Sequence, residues 1–456
     1  MKSSGMRQMK LGAFFLIPGH HIAAWRHPEA EASSVMDLGL YRRLAQTAER
    51  GRFDMIFLAD SYSVSNRFPA AIEQIVSARP EPLTLLAALA AVTEHIGLAA
   101  TASTTYNEPF HVARKFASLD HLSGGRAAWN VVTSKYDEEA LNFGGQSHLQ
   151  HELRYERAGE FVKVVTGLWD SWEDDAFLYD KENARYADRT KAHPPNHQGA
   201  WFSVKGPLNV SRPVQGHPVI VQAGSSEPGR ELAARTAEVI FTAWPALPEA
   251  QRFYAEVKGR LAKYGRSPDS LLIMPGVFPV IGRTREEAQE KRALLESLVP
   301  QEAGVTLLSA LLGVDLTGCD VDGPLPELPR AEEMNGGRSR TQLVRELAGE
   351  GMTIRRLYQR IAGGRGHLEV TGTPAEIADE LESWFTGGAA DGFNIMPPYF
   401  PGGLDDFVEL VVPELQRRGL FRTEYEGKTL RDRLGLSRPV HPAVRRSNTE
   451  NKAAGR

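Results

Sequence analysis

A single cysteine, Cys319, stands in the 456 residues, so no disulfide can form within the chain and a reducing compartment, the cytoplasm, is expected. Charge of one sign is also missing: 53 Lys and Arg face 57 Asp and Glu, for a net charge of −4. With no basic excess, neither nucleic acid nor an anionic membrane surface is an expected partner. No apolar run approaches the ~18–20 residues of a membrane span. Residues 11–17 follow Lys2, Arg7 and Lys10 as a secretory leader would. Pro18, Gly19, His20 and His21 come next, however, without a small-residue cleavage pattern, so the run reads as a first strand.

Absent motifs exclude further classes. Neither G-x-G-x-x-G nor G-x-x-x-x-G-K-[ST] occurs; the Gly-Lys-Thr of residues 427–429 has no upstream glycine partner. The stretch Ala223–Gly229 misses the G-x-S-x-G elbow of a Ser-His-Asp hydrolase. A metal site from His148, His151 and Glu152, or from His20 and His21, lacks both H-E-x-x-H spacing and an acidic cluster, and no metal is expected.

What is present is alternation. Strand-like runs at 10–17, 54–60, 96–104, 127–134, 218–224, 238–244, 271–282 and 392–398 are separated by amphipathic helical patterns at 38–53, 81–95, 109–126, 151–172, from about 227, 247–265, 284–298 and 373–385. Thr284 with Glu287, and Thr373 with Pro374 and Glu376, carry the capping-box spacing. Eight apolar strands alternating with helices predict an α/β protein, a (β/α)8 TIM barrel with insertions; an open doubly wound sheet is the competing arrangement. One domain is expected over 1–436, with insertions at about 173–217 and 299–370 and a loose tail from 437 to 456.

In such a barrel the chemistry stands at the C-terminal ends of the strands. There the sequence delivers His20 and His21, Asp60, Ser103 and Thr104, Asn130, Ser225 and Ser226, Trp244 and Asn394. Asn130 interrupts an apolar run and either binds a ligand or bonds neighbouring backbone. Gly224, Ser225 and Ser226 precede a helix, where free N–H groups, hydroxyls and the helix dipole suit a phosphate; plain serine N-capping is the alternative. His151 and Tyr155, four residues apart, share a helical face and either meet the same ligand or serve as a cap and a half-buried ring.

Long stretches then resemble a known family: residues 53–60, 81–134, 151–162, 206–238 and 392–422. They are similar to the bacterial-luciferase-like flavin monooxygenases of the nitrilotriacetate monooxygenase component A and dibenzothiophene-sulfone monooxygenase type. The resemblance implies a barrel that binds reduced FMN (FMNH2) and uses O2 through a flavin C4a-(hydro)peroxide. It implies ring contacts from Asp60, Ser103, Thr104 and Asn130, and phosphate contacts from His151, Tyr155, Ser225 and Ser226. His20 and Asn130 are the implied catalytic residues, hydrogen-bonding to the peroxide or protonating it, a role that suits the ordinary acidity of histidine near neutral pH, although His21 is adjacent. It also implies a separate NAD(P)H:FMN oxidoreductase as partner, a small organic substrate and a homo-oligomer, dimer or tetramer. Competing readings are a deazaflavin (F420)-dependent oxidoreductase, a metal-dependent TIM-barrel hydrolase using His20, His21 and Asp60, and a non-catalytic flavin carrier. In the variable insertion, Arg338, Arg340 and His367 either meet an acidic substrate or, the favoured reading, are solvated charge.

Overall fold

Val239–Thr242 hydrogen-bonds on one side to Val219–Gln222 and on the other to Leu272–Pro275, and this double pairing closes a ring of eight parallel strands. The strands are β1 (Lys10–Phe14), β2 (Met55–Leu58), β3 (Gly97–Ser103), β4 (Ala127–Val132), β5 (Val219–Gln222), β6 (Val239–Thr242), β7 (Leu272–Ile281) and β8 (Gly392–Ile395). The computed structural model describes residues 7–64, 69–134, 137–328, 344–345, 347–348 and 351–445. The ring is the expected (β/α)8 barrel, not an open sheet.

The strand sequences explain the closure. They are short, apolar and buried on both faces, as parallel strands under helices must be. Period-two alternation sorts their side chains. Leu98, Ala100 and Ala102 of β3 and Ala127, Trp129 and Val131 of β4 pack outward against the helices. Phe14, Met55, Phe57, Ala99, Ala128, Val219, Val221 and Met274 pack inward. Helices Leu38–Arg50, Pro82–Ala90, Pro109–Leu122, His151–Trp169, Glu227–Thr236, Leu247–Arg260 and Pro374–Thr386 cover the ring. Thr373 and Glu376 complete their capping box. At Thr284 only half of the box forms: its hydroxyl accepts from the Glu287 N–H, while the Glu287 carboxylate takes the Arg283 N–H.

The end of the barrel opposite the strand C-termini is closed by a segment that follows all eight strands. Leu430, Leu434 and Leu436 join the inward cluster. Gly97 makes room for them, since a Cβ there would lie 2.6 Å from Leu430. Arg431 fixes the segment through the Glu238 carboxylate, with contacts at 2.5 and 2.9 Å. Buried Arg422 pairs with buried Asp54, whose other oxygen accepts the Leu11 N–H.

Three features differ from expectation or refine it. The insertion at 173–217 forms two small hairpins, Phe177–Asp180 with Arg185–Ala187 and His197–Gln198 with Ser203–Val204. The other insertion contributes Leu368–Gly372 as a further parallel strand on the outer half of β7, and packs helices Gln301–Leu312 and Ile354–Ile361 through Leu308, Leu312, Leu357 and Ile361. The first part of the expected loose tail is held: Arg438 pairs with Asp174, the Pro439 carbonyl accepts from Arg212, and His441 donates to the Asp170 carbonyl. Residues 446–456, Arg338 and Arg340 lie outside the described residues. No helix among the described residues is long and apolar enough to cross a membrane.

Leu430 is fully buried at the closed end. Leu430→Ala should lower stability by roughly 2–5 kcal/mol through lost burial and a cavity. The check is the guanidinium unfolding midpoint; an unchanged midpoint would show that the closed end does not depend on this side chain.

Candidate functional site

At the open end of the barrel, three inward rings make an aromatic floor. Phe14, Phe57 and Phe241 lie with centroids 5.0, 5.4 and 5.6 Å apart, mostly edge to face. His20 stands on this floor, its ring 4.4 Å from Phe14. Its Nε2 lies 3.0 Å from the Phe14 carbonyl. A carbonyl only accepts, so Nε2 carries the proton and Nδ1 presents a lone pair. Burial pushes the His20 pKa down to about 3, so the ring stays neutral near neutral pH. Near neutral pH His20 therefore presents a hydrogen-bond acceptor at Nδ1. His21 turns elsewhere, toward Phe278 and the cluster of Ala24, Val280, Leu295 and Tyr399. Its pKa is likewise about 3, lowered chiefly by burial.

Asn130 sits on the inward face of β4, opposite Thr101 of β3. The Thr101 hydroxyl donates to the Leu58 carbonyl at 2.7 Å, so its oxygen is left to accept from Asn130 Nδ2, also at 2.7 Å. That chain fixes the amide. Its Oδ1 is buried and has no partner among the described residues. An orphaned acceptor of this kind costs free energy unless a ligand or water satisfies it. Ser103 shares the inward parity, with its hydroxyl 2.9 Å from that of Ser134. Thr104 has the opposite parity, and its hydroxyl donates to the Val132 carbonyl at 3.1 Å; it braces the β3 and β4 ends and does not join the inward group. Asp60 is half-buried beyond β2; burial raises its pKa to about 6 against the pull of the Ser61 N–H.

Tyr155 and Ser226, 71 residues apart in sequence, meet. The Ser226 hydroxyl lies 3.4 Å from the Tyr155 hydroxyl. Gly224 and Gly229 make this approach possible: a Cβ on either would come within 3.2 or 3.1 Å of the Tyr155 oxygen. Ser226 occupies the N-cap of Glu227–Thr236 but makes no side-chain cap bond, so the plain capping alternative does not hold. Ser225 turns its carbonyl to Arg230 Nε at 2.8 Å. Glu227, the acid nearest this turn, points away to Arg260 at 2.6 Å. The His151 ring lies 5.0 Å from Tyr155 on the same helix. The structure thus brings together His151, Tyr155, Ser225 and Ser226.

Beside β3 and β4 a polar-aromatic rim adds Tyr62, Tyr106, Phe143, His148 and Glu139. Tyr106 stacks on Phe143 at 4.5 Å, its hydroxyl 2.6 Å from His148 Nδ1. His148 Nε2 faces the Glu139 carboxylate at 3.7 Å.

Two inward residues were underrated in sequence. His367, read as solvated charge, is buried; it stacks on Phe241 at 5.1 Å with Nδ1 3.1 Å from the Thr242 carbonyl. Gly276 of β7 leaves it that space. The signal was the run of glycines around it, Gly363, Gly364 and Gly366. Asn394 fills the gap between Gly12 and Gly276, and both of its amide atoms lack partners among the described residues. The three-residue His and acid cluster found among the described residues is Glu173, His193 and His441, between the 173–217 insertion and the C-terminal segment, not His20, His21 and Asp60. A cavity of about 470 Å³ lined by Lys163, His217, Arg235 and Glu238 lies on the outer face of the barrel and includes none of the expected site residues.

The residues at the open end fit a flavin nucleotide: an orphaned amide oxygen above an aromatic floor, and a glycine-lined turn with hydroxyls at a helix N-terminus. Comparison with known proteins agrees. The luciferase-like monooxygenase family model matches residues 13–391. The chain is 54% identical to N-acetyl-S-(2-succino)cysteine monooxygenase of Bacillus subtilis (strain 168), over 96% of this chain and 99% of that one. It is 53% identical to nitrilotriacetate monooxygenase component A of Aminobacter aminovorans, over 97% and 99%. The structure is similar to that of riboflavin lyase with modified FMN and riboflavin, with TM-score 0.85 and 33% identity over 96% and 99% of the chains. Likeness to an F420-dependent secondary alcohol dehydrogenase, at 14% identity and TM-score 0.56, is one of fold alone.

The buried groups fix a pH dependence. His20 and His21 titrate near 3 when folded and near 6.5 when unfolded, so the unfolded chain binds more protons between those values. Stability should fall as pH drops below about 6.5. Asp60, raised to about 6, acts with the opposite sign between 3.8 and 6. Thermal midpoints from pH 4 to 8 should therefore slope less in a His20→Asn, His21→Asn double variant and more in Asp60→Asn; identical slopes would refute the assignment.

Proposed function

The chain belongs to the luciferase-like monooxygenase family, and we propose that within it the protein is the oxygenase component of a two-component system. In this reading it takes reduced FMN from a separate NAD(P)H:FMN oxidoreductase and transfers one atom of O2 to a small organic substrate containing sulfur or nitrogen. The observation that carries the reading is the fixed, inward amide oxygen of Asn130, set at the same barrel mouth as the Tyr155–Ser226 turn.

Tyr155, Ser225, Ser226 and His151 would hold the phosphate, assisted by the positive end of the helix that begins at Glu227. Asp60, Ser103 and Asn130 would meet the ring. When bound, reduced FMN supplies the electrons that activate O2, one oxygen going to the substrate and the other to water. The chain's own contribution is orientation and dryness. Thr101 holds the Asn130 oxygen inward, an acceptor matched to the N–H edge of a reduced isoalloxazine. Neutral His20 offers Nδ1 as a second acceptor at the floor. Phe14, Phe57 and Phe241 exclude water from the site.

The missing dinucleotide fingerprint supports a separate reductase, as does the component A designation of one relative. A cytoplasmic location, where a reductase supplied by NAD(P)H would work, and a dimer or tetramer are part of the proposal. The substrates named for the two relatives differ, yet each is small and carries sulfur or nitrogen.

Anaerobic titration with FMNH2 should saturate, and a Tyr155→Phe, Ser226→Ala double variant should bind it roughly tenfold to a hundredfold more weakly, the worth of hydrogen bonds to a charged group. Asn130→Ala should uncouple O2 consumption from product, the difference appearing as hydrogen peroxide; unchanged coupling would remove Asn130 from the mechanism. With NADH and FMN alone the purified protein should turn over slowly until a reductase is added, and rapid turnover without one would contradict the two-component reading.

A further inference from the structure

Helix His151–Trp169 starts at the barrel mouth and, rising about 1.5 Å per residue, ends about 27 Å away toward the closed end. Just beyond it, residues 171–173 run antiparallel to 191–193. The His193 N–H donates to the Ser171 carbonyl at 2.7 Å and the Glu173 N–H to the Lys191 carbonyl at 3.1 Å, with Trp172 opposite Ala192. In that register Glu173 and His193 are diagonal neighbours on one face, and His193 Nε2 lies 2.8 Å from the Glu173 carboxylate. A third segment meets them. His441, from the stretch that follows the leucine seal of the closed end, is buried with its ring 5.2 Å from that of His193. One nitrogen of each imidazole and one Glu173 oxygen lie within 4.8 Å of one another. The Asp170 carbonyl accepts from His441 Nε2 at 2.9 Å; a carbonyl only accepts, so the His441 lone pair is on Nδ1, where it meets the Ala443 N–H at 3.2 Å. The other charges around this trio are engaged with one another: Lys191 with Asp175, Arg438 with Asp174, and Arg212 with Asp170 and Asp174.

We propose that Glu173, His193 and His441 form a binding site for a divalent transition-metal ion of the zinc type, which ties the C-terminal segment to the 173–217 insertion. Two imidazoles and a carboxylate are donors that such an ion selects, whereas Mg2+ and Ca2+ favour oxygen alone. The ion would enter between His193 Nε2 and the Glu173 oxygen, which need part by only roughly half an ångström to accommodate metal–ligand lengths of about 2.0–2.2 Å. The His193 proton then passes to Nδ1, and His441 Nδ1 exchanges its bond from Ala443 for the metal. The Asp170 carbonyl already holds the other nitrogen of His441, the arrangement that orients ligating imidazoles. His193 and Glu173 are partly exposed, so water can complete the coordination. Lying at the far end of the barrel from the mouth, the ion acts structurally and does not depend on the oxygenase reading. It pins the chain that leaves the seal of Leu430, Leu434 and Leu436.

The test titrates the whole, chelator-stripped protein calorimetrically with zinc chloride and, in parallel, with magnesium chloride. Wild type should take up zinc saturably and show no magnesium uptake at this site. Glu173→Gln, His193→Gln and His441→Gln should each weaken zinc binding by about tenfold or more. His95→Gln, which removes a histidine from an exposed His–Glu pair elsewhere, should leave it unchanged. Excess zinc should raise the thermal midpoint of wild type and of His95→Gln but not that of the three site variants. That metal-dependent increment reports ligation even where a substitution lowers the midpoint itself. A wild type without saturable zinc uptake would overturn the proposal. So would equal zinc affinity in wild type and all three site variants, which would mark an adventitious ion only.

Discussion

The backbone pairing of β6 with β7 is the constraint on which the rest of the structure depends. Without it, β6 and β7 would be free edges and the sheet would splay. With it, the inward side chains of all eight strands must share one interior, whatever their separation in sequence. Thr101 then stands opposite Asn130, and Asn130 opposite Val221. Period-two alternation does the remaining sorting: a shift of one residue in β4 would exchange Asn130 for Trp129 or Val131 and put an indole or a valine where the amide now points.

That shared interior disfavours charge. Desolvation is the largest influence on His20, His21 and Asp60, and in each it favours the neutral species. Paired charge lies away from the open end, at the closed end in Arg422 with Asp54 and at the surface in Glu227 with Arg260 and Arg230 with Glu256. Hydrogen bonds to carbonyls fix the tautomers of His20 and His367, and Thr101 fixes the amide of Asn130. Orientation is thus set by groups that bear no charge, as suits a site whose reaction must be kept from water.

Much of this was legible in the chain because parallel strands buried on both faces read as plain apolar runs. All eight barrel strands fall within the expected stretches, and Tyr155 meets Ser226 of the Gly224–Ser226 turn as the family resemblance implied. The misreadings have physical causes. His20 was given its solution acidity because burial is invisible in a sequence. Leu368–Gly372 was missed because a five-residue strand with partly exposed positions carries little periodicity. His367 looked like surface charge because the glycines around it mark a tight turn but do not show that Gly276, 91 residues earlier, leaves the ring a place inside.

The leucines at 430, 434 and 436 carry a consequence for how the protein is made. They come after every barrel strand in chain order, yet they cover the inner faces of Ala99, Ala128 and Val219. During vectorial synthesis the ring of strands is therefore complete before its lower seal has left the ribosome. Until then its greasy lumen stays wetted, and the nascent barrel is a natural client for holding chaperones.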